Sequence, residues 1–496
     1  MNHALHQLDL TRQQASRAIS PETKAALGQY MTPSCIASFM ASLFDLEGAG
    51  EFHLLDAGAG IGSLSVAFFE RLLAEKRDGA VDWVGYEIDP DLCVYLERHL
   101  QRCRLDFEAR RVHFTAALRR VDFIEDSARR AWSRKGEVFN FAILNPPYKK
   151  IPGHSRHRLL LRQMQIETVN LYAAFVALAI DALADGGQLV AILPRSFCNG
   201  PYYRPFRQHL LAKTAIRRIH LFDARDKAFG DEEVLQENLV IHLERGGAQG
   251  AVRVSTSTDG YLHDYAEAVY AFDQIVLPDN PEGFIHIPTS HIANPLDTST
   301  SFRYTLGDLG LEVSTGPVVD FRLKAHLRAA PAEDTAPLLY PGHFGERGVE
   351  WPRLDGKKPN ALALNSQTER WLYPNGFYTI VRRFSSKEER RRIRAYVIDP
   401  LIFPTAWIGL ENHLNVFHVH KQGLSADLAH GLAVYLNSTS VDQYFRRFSG
   451  HTQVNATDLR LLKYPSLEVL ARLGEWARGQ VELTQEIIDG ELAKYV

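Results

Sequence analysis

Asn145-Pro146-Pro147-Tyr148 closes the apolar run Phe139–Leu144, and these residue types suit the handling of a planar amino group. The Asn145 side-chain oxygen and the Pro146 carbonyl are both acceptors, and proline brings no N–H of its own to compete while it fixes the turn. Two acceptors on the two N–H bonds of an exocyclic amine draw its nitrogen toward tetrahedral geometry. The lone pair is then released for in-line attack on an electrophilic carbon. Proximity supplies much of the acceleration, and acceptors aimed at the charge developing on nitrogen supply an electrostatic part. Tyr148 adds a ring on which the planar group can stack.

Such a turn needs a second reactant held beside it. Upstream, Leu54-Leu55-Asp56-Ala57-Gly58-Ala59-Gly60-Ile61-Gly62 reads as a strand, a glycine-rich turn and the start of a helix. Glycines there let the backbone turn tightly and approach a ligand. One strand–helix unit later, Val84-Gly85-Tyr86-Glu87-Ile88-Asp89-Pro90 places Glu87 at a strand end, where a carboxylate accepts from ribose hydroxyls. A plain NAD-type site is the bland alternative. The spacing is not G-x-G-x-x-G, however, and no G-x-x-x-x-G-K-[ST] loop is present, which disfavours ATP.

Together these motifs resemble the S-adenosylmethionine-dependent methyltransferases, and more closely the gamma-class DNA N6-adenine methyltransferases of restriction–modification systems. Motif order carries the likeness: Gln29-Tyr30-Met31-Thr32-Pro33 precedes the glycine loop, which precedes Asn145-Pro146-Pro147-Tyr148. The resemblance implies a doubly wound, Rossmann-like α/β sheet and S-adenosylmethionine as cofactor. It implies that Asn145, Pro146 and Tyr148 are catalytic and that the target base is flipped out of duplex DNA. Tyr148 would stack on one face of that base and Phe229, in Ala228-Phe229-Gly230-Asp231, on the other; Phe222 is the rival aromatic. Cofactor contacts implied are Thr32, Asp56, Gly58, Gly60, Glu87, Ile88, Asp122, Phe123, Pro147, Leu171 and Phe175. Asp122 would accept from the cofactor's adenine amine, between Ile88 and Phe123. Thr32-Pro33 equally reads as a helix N-cap followed by proline at the first helical position.

The elements that must position these residues follow from hydrophobic periodicity. Strands are expected at Phe52–Asp56, Trp83–Ile88, Arg111–Phe114, Val138–Leu144, Gln188–Leu193, Ile216–Phe222 and Leu239–Glu244. Helices are expected at Pro33–Phe44, Leu64–Glu75, Pro90–Arg102, Asn170–Ala184 and Tyr203–Lys213. The last two strands lie too close for a helical crossover and should pair antiparallel. Residues 1–25 read as a tail or frayed helix, and 26–247 as the catalytic domain. The linker Arg245-Gly246-Gly247-Ala248-Gln249-Gly250 opens 248–496, expected to be a mixed α+β target-recognition domain with a C-terminal helix at Leu467–Ala493.

Hydrophobic content of 45% and charged content of 23% fit a soluble globular chain. No apolar stretch long enough to span a bilayer appears, nor a signal peptide, so a cytoplasmic, nucleoid-associated protein is expected. Four cysteines without a C-x-x-C pair suggest neither metal nor disulfide. The net charge of −3 does not advertise nucleic-acid binding, but local clusters do. Lys149 and Lys150 open a basic run after the proposed catalytic turn, and Arg390 lies in a second run from Val381 to Arg394. In Gly450-His451-Thr452-Gln453-Val454-Asn455, Gln453 and Asn455 lie near Arg446 and suit base edges or a structural loop equally well. The expected partner is double-stranded DNA, with a separate cognate restriction endonuclease acting on the same site.

Other readings remain beside this one. N4-cytosine methylation uses the same amine logic. A protein-glutamine methyltransferase would be much shorter, and a catalytically silent DNA-binding specificity protein would not need Asn145 and the glycine loop. C5-cytosine methylation needs an activated thiolate, and Cys198 lacks a Pro-Cys context.

Overall fold

Side chains that alternate between two covered faces build the first apolar runs into one large sheet. In the computed structural model, β1 (Glu51–Ala57) turns Phe52 and Leu54 to one face and Leu55 and Ala57 to the other. β4 (Phe139–Leu144) divides Phe141 and Ile143 from Ala142 and Leu144 in the same way. Both faces are apolar, so both must be covered. Burying each such side chain contributes about 1.5–3 kcal/mol. The structure describes residues 3–18, 31–133, 137–222, 237–278, 280–288, 294, 296, 299–345, 348–386, 388–450 and 452–495. They fall into two units, Met1–Thr289 and Ser290–Val496.

The first unit adds β2 (Ala80–Tyr86), β3 (Phe114–Arg119), β5 (Leu183–Pro194), β6 (Thr214–Phe222), β7 (Asn238–Arg245), β8 (Val252–Ser257) and β9 (Ala266–Tyr270). The sheet order is β3-β2-β1-β4-β5-β7-β6-β8-β9. β3, β2, β1, β4 and β5 run parallel. β7 is antiparallel to both neighbours, as expected for strands without a helical crossover.

One face carries α1 (His3–Ala18), α2 (Ser34–Ser42), α3 (Ser63–Ala74) and α4 (Pro90–Ala109). The other carries α5 (Phe123–Ser133), α6 (Arg156–Gln163), α7 (Leu171–Ala182) and α8 (Arg204–Lys213). The fold is the doubly wound α/β sheet expected. Its strand order reverses between β1 and β4, so the loops after β1, β2 and β4 open at one edge beside that switch point.

Several boundaries differ from expectation. The third strand lies at Phe114–Arg119, not Arg111–Phe114, because it is an edge strand and mostly half-exposed. Residues before 26 are not merely a tail: Leu8, Arg12 and Ala15 of α1 are buried. The Asp9 carboxylate accepts from the Ser34 backbone N–H (3.2 Å) and hydroxyl (3.1 Å). It thereby caps α2, a role expected of Thr32; the residue before this helix is Pro33. The sheet also continues beyond 247 into β8 and β9, so the first unit ends at Thr289.

The second unit has a four-stranded sheet, Glu312–Thr315, Leu414–His418, Tyr378–Arg382 and Ala395–Ile398 in spatial order, and a separate five-stranded sheet. Helices Ala426–Leu436 and Leu467–Arg478 pack together. The single expected C-terminal helix is two, Leu467–Arg478 and Gln485–Leu492.

Candidate active site

The turn after β1 needs positive φ at Gly58 (81°), Gly60 (56°) and Gly62 (89°), a conformation costly for any residue with a Cβ. Gly58 and Ala59 donate their N–H groups to the Tyr86 carbonyl, each at 2.9 Å. Gly60 donates to Glu87 Oε2 at 2.8 Å. The other Glu87 oxygen accepts from the Ile88 (2.8 Å) and Asp89 (2.9 Å) backbone. Burial holds the Glu87 carboxyl above the ordinary glutamate range, although these three donors oppose the shift. Glu87 therefore fastens the glycine loop to the end of β2 while lining the cleft between them.

That cleft, of about 250 Å³, is lined by Thr32, Gly58, Gly60, Glu87, Ile88, Asp122, Phe123, Asn145, Pro147, Leu171 and Phe175. Eleven positions spread over more than 140 residues of sequence thus meet as expected. Exposed Ile88 forms one wall, and Phe123 lies tilted against Phe175 with centroids 5.1 Å apart. Asp122 immediately precedes α5, a helix absent from the sequence expectations. It accepts from the Glu125 N–H at 2.9 Å and so caps that helix. Asp56 is a correction of another kind. It is fully buried outside the cleft lining, bonded at 2.5 Å to the Ser65 hydroxyl, which also accepts from Trp83. Burial pushes its carboxyl up to about 7; the Ser65 bond opposes this and the nearby Glu87 charge adds to it.

Asn145 leaves the end of β4 and donates its amide N–H to Thr32 Oγ at 2.9 Å. With the NH₂ group turned to Thr32, the side-chain oxygen is directed away from it as an acceptor. The following residues are pinned to the segment entering α7: Leu171 N–H donates to the Lys149 carbonyl (2.8 Å) and Ile151 N–H to that of Val169 (2.7 Å). The Tyr148 hydroxyl donates to the Ile192 carbonyl at 3.2 Å, and its ring meets Tyr172 edge-on, 6.1 Å between centroids. Pro146 is buried in the same turn. Phe229 lies outside the described residues.

Two lining residues had no sequence signal of their own. Ser63, at the start of α3, is buried with a hydroxyl that has no hydrogen-bond partner within the protein. Beside a helix N-terminus, it fits a carboxylate-bearing ligand such as an amino acid moiety. His157, on α6, bonds Asp122 at 3.1 Å. The wholly local turn chemistry of Ser63 and the 35-residue separation of His157 from Asp122 left no periodic pattern to read.

Lys149 and Lys150 are exposed, and Lys149 also lines the cleft. In the second unit only Arg390 of the expected DNA contacts is solvent-facing. Arg446 donates to Asp442 (2.7 Å) and to the Glu389 carbonyl (2.8 Å). Gln453 accepts from Arg383 at 3.3 Å. Asn455 precedes helix Ala456–Arg460 and donates both its backbone N–H (2.8 Å) and its side-chain amide (3.2 Å) to the Asp458 carboxylate. The structure thus supplies internal partners for all three, because a polar side chain that closes a loop looks in sequence like one that reads a base. Asn455→Ala should lower stability by about 1 kcal/mol, as loss of one hydrogen bond does, without altering discrimination between DNA duplexes; denaturant unfolding beside competition binding checks this. Glu87→Ala should weaken binding of a nucleoside ligand in the cleft by about 1.5–3 kcal/mol, the range for hydrogen bonds to a charged group. Unchanged affinity by calorimetry would remove Glu87 from ligand binding.

Among the described residues no helix is long and apolar enough to cross a membrane, and no cluster of three metal-ligating side chains occurs. The profile of the Eco57I restriction-modification methylase family matches residues 96–229. The chain is 49% identical over 478 residues to the Type II methyltransferase M.BsuBI of Bacillus subtilis, covering 95% of this chain and 94% of that protein. It is 40% identical over 492 residues to the Type II methyltransferase M.PstI of Providencia stuartii, covering 98% and 96%. In fold it is similar to the Type IIL restriction-modification enzyme MmeI in complex with DNA (TM-score 0.56, 13% identity, 96% of this chain and 76% of that one). It is likewise similar to the DrdV–DNA complex (TM-score 0.53, 12% identity, 96% and 60%).

Proposed function

Because the chain belongs to the type II DNA methyltransferases of restriction–modification systems, its cofactor is S-adenosylmethionine and its substrate DNA, and we propose that it methylates adenine at N6. The observation that carries this reading is the Asn145 amide, anchored to Thr32 at a cleft lined by the glycine loop and Glu87. The Asn145 oxygen and the Pro146 carbonyl accept the two N6–H hydrogens of a flipped-out adenine. Tyr148, braced by Ile192 and Tyr172, stacks on the ring. The cofactor supplies an electrophilic sulfonium methyl. That methyl would pass to the N6 lone pair with the S–C electron pair returning to sulfur, and the N6 proton would go to solvent, since the Asn145 amide and the Pro146 carbonyl hold the hydrogens without acting as bases. Unfavourable unstacking of the base, a few kcal/mol, is offset by these contacts.

On the cofactor side, Ser63 and the α3 N-terminus suit the carboxylate of the methionine portion, and Glu87 the ribose. Asp122 accepts from the adenine amine between Ile88 and Phe123. A thiolate mechanism at cytosine C5 lacks its nucleophile: Cys198 is fully buried, and burial pushes its thiol up to about 12. We assign target recognition to the second unit, with nonspecific phosphate contact at Arg390, and a separate endonuclease of the same site specificity as the natural partner. Nucleoside mass spectrometry of methylated plasmid tests the base assignment. N6-methyladenine is expected, and N4-methylcytosine as the product would sink it.

A further inference from the structure

Asp122 is asked to do three things with one carboxylate. One oxygen accepts from the Glu125 N–H at 2.9 Å and the other meets His157 Nε2 at 3.1 Å. A carboxylate offers about four lone-pair sites, so those two partners fix its plane and leave a restricted set of directions for any ligand. His157 comes from α6, which starts at its Ser155 cap seven residues past Tyr148. A second bridge, Arg156 to Glu125 at 3.3 Å, joins the same two helix starts. Both His157 and Asp122 line the cofactor cleft. The helix that follows the catalytic turn is therefore clipped to the carboxylate at the nucleoside end of the cleft.

We propose that His157 is a positioning residue for cofactor binding: by hydrogen-bonding Asp122 it orients that carboxylate toward the adenine amine of S-adenosylmethionine. This rests on the assignment of Asp122 to that amine. A charged imidazole holds a carboxylate more firmly than a neutral one, since a charge-assisted bond is roughly twice as strong. The groups around His157 are Asp122 and Glu125 at the start of α5, Arg156 on its own helix, and Lys149 in the same cleft wall. The bond to Asp122 raises the His157 titration above the ordinary histidine range, against the effect of burial. In Asp122, burial pushes the carboxyl up, but the His157 bond, the Glu125 and Ile124 backbone N–H groups and the imidazole charge together outweigh it, and the carboxyl is lowered. Each shift favours the charged form of its group, and the imidazolium is lost as pH rises through the raised His157 value.

The test is calorimetric titration of the DNA-free enzyme with S-adenosylhomocysteine across pH 6–9, for the wild type, His157→Gln, His157→Ala and Asp122→Ala. His157→Ala should lose about tenfold in affinity, by analogy with one hydrogen bond to a charged group. His157→Gln keeps a donor near the Nε2 position and should recover most of that loss. Wild-type affinity should fall on the alkaline side of the His157 titration, and the His157→Gln profile should lack this step. The ligand's own amino group titrates in both and cancels in the comparison. If Asp122→Ala weakens binding but His157→Ala does not, or if the pH step persists in His157→Gln, the positioning role is overturned while the adenine contact stands. If neither alanine variant weakens binding, the nucleoside assignment of Asp122 falls and the role of His157 with it. Thermal unfolding of the ligand-free variants identifies any that fail to fold, and His157→Gln then carries the test.

Discussion

Asn145→Ala should cut methyl transfer by about 10²–10³-fold or more, the range seen when one preorganised polar group is removed from a reacting centre, while cofactor affinity stays within a few-fold. The reason is chemical. The adenine amine is a poor nucleophile until an acceptor draws on its hydrogens, and alanine supplies none. Asn145 borders the cofactor cleft, but the groups assigned to carboxylate, ribose and adenine lie on other loops. Single-turnover transfer of labelled methyl into a cognate duplex, beside calorimetric binding of S-adenosylhomocysteine, separates the two effects. A near wild-type rate would remove Asn145 from the chemistry. Thr32→Ala should give a smaller loss, because it releases the Asn145 amide without deleting it, and Thr32→Ser should restore most of the rate.

The second large effect concerns stability and lies far along the chain. A Cβ added at Gly474 would fall 1.7 Å from the Asp427 carbonyl oxygen, and one at Gly431 would fall 1.8 Å from that of Leu470. These are backbone atoms of facing helices, so no side-chain rotation relieves the clash. In an exposed helix, glycine to alanine gains about 1 kcal/mol in propensity. Here overpacking by backbone contact should win, with a net loss of about 2 kcal/mol for Gly474→Ala. The thermal midpoint of the second unit should then drop by roughly 4–8 °C. A rise in that midpoint would mean that the helices can separate at little cost.

What could be read beforehand follows a physical line. β1 and β4 announce themselves because both sheet faces are covered, leaving continuous apolar runs that end in glycine or in Asn145. β3 hides because an edge strand needs no such run, and Phe114-Thr115-Ala116-Ala117 is unremarkable in composition. α5 and α6 hide for a related reason: each is short and charged, with only a narrow apolar stripe. Asp122 could be found as a residue but not as a helix cap, since its distinguishing bond is to a backbone N–H three positions on. Asp56 stands next to the glycine loop in sequence, yet a strand's alternation turned it inward toward Ser65. Arg446, Gln453 and Asn455 have partners inside the second unit that composition does not announce, because it records polarity and not where a polar group points.

The first helix gives the chain a hidden vulnerability. Asp9 grips Ser34, Ser34 opens the helix next to Thr32, and Thr32 holds the amide of Asn145. A polypeptide initiated at the internal methionine, Met31, would keep Thr32, the glycine loop, Glu87 and Asn145-Pro146-Pro147-Tyr148, and would lose only Gln29 and Tyr30 of the first motif. It would nevertheless have lost the anchor of the helix beside Thr32, and with it the support behind the group that prepares the amine. Such a product would take up cofactor and methylate poorly. In a cell that also carries a nuclease for the same site, start-codon choice would then decide how well the chromosome is protected.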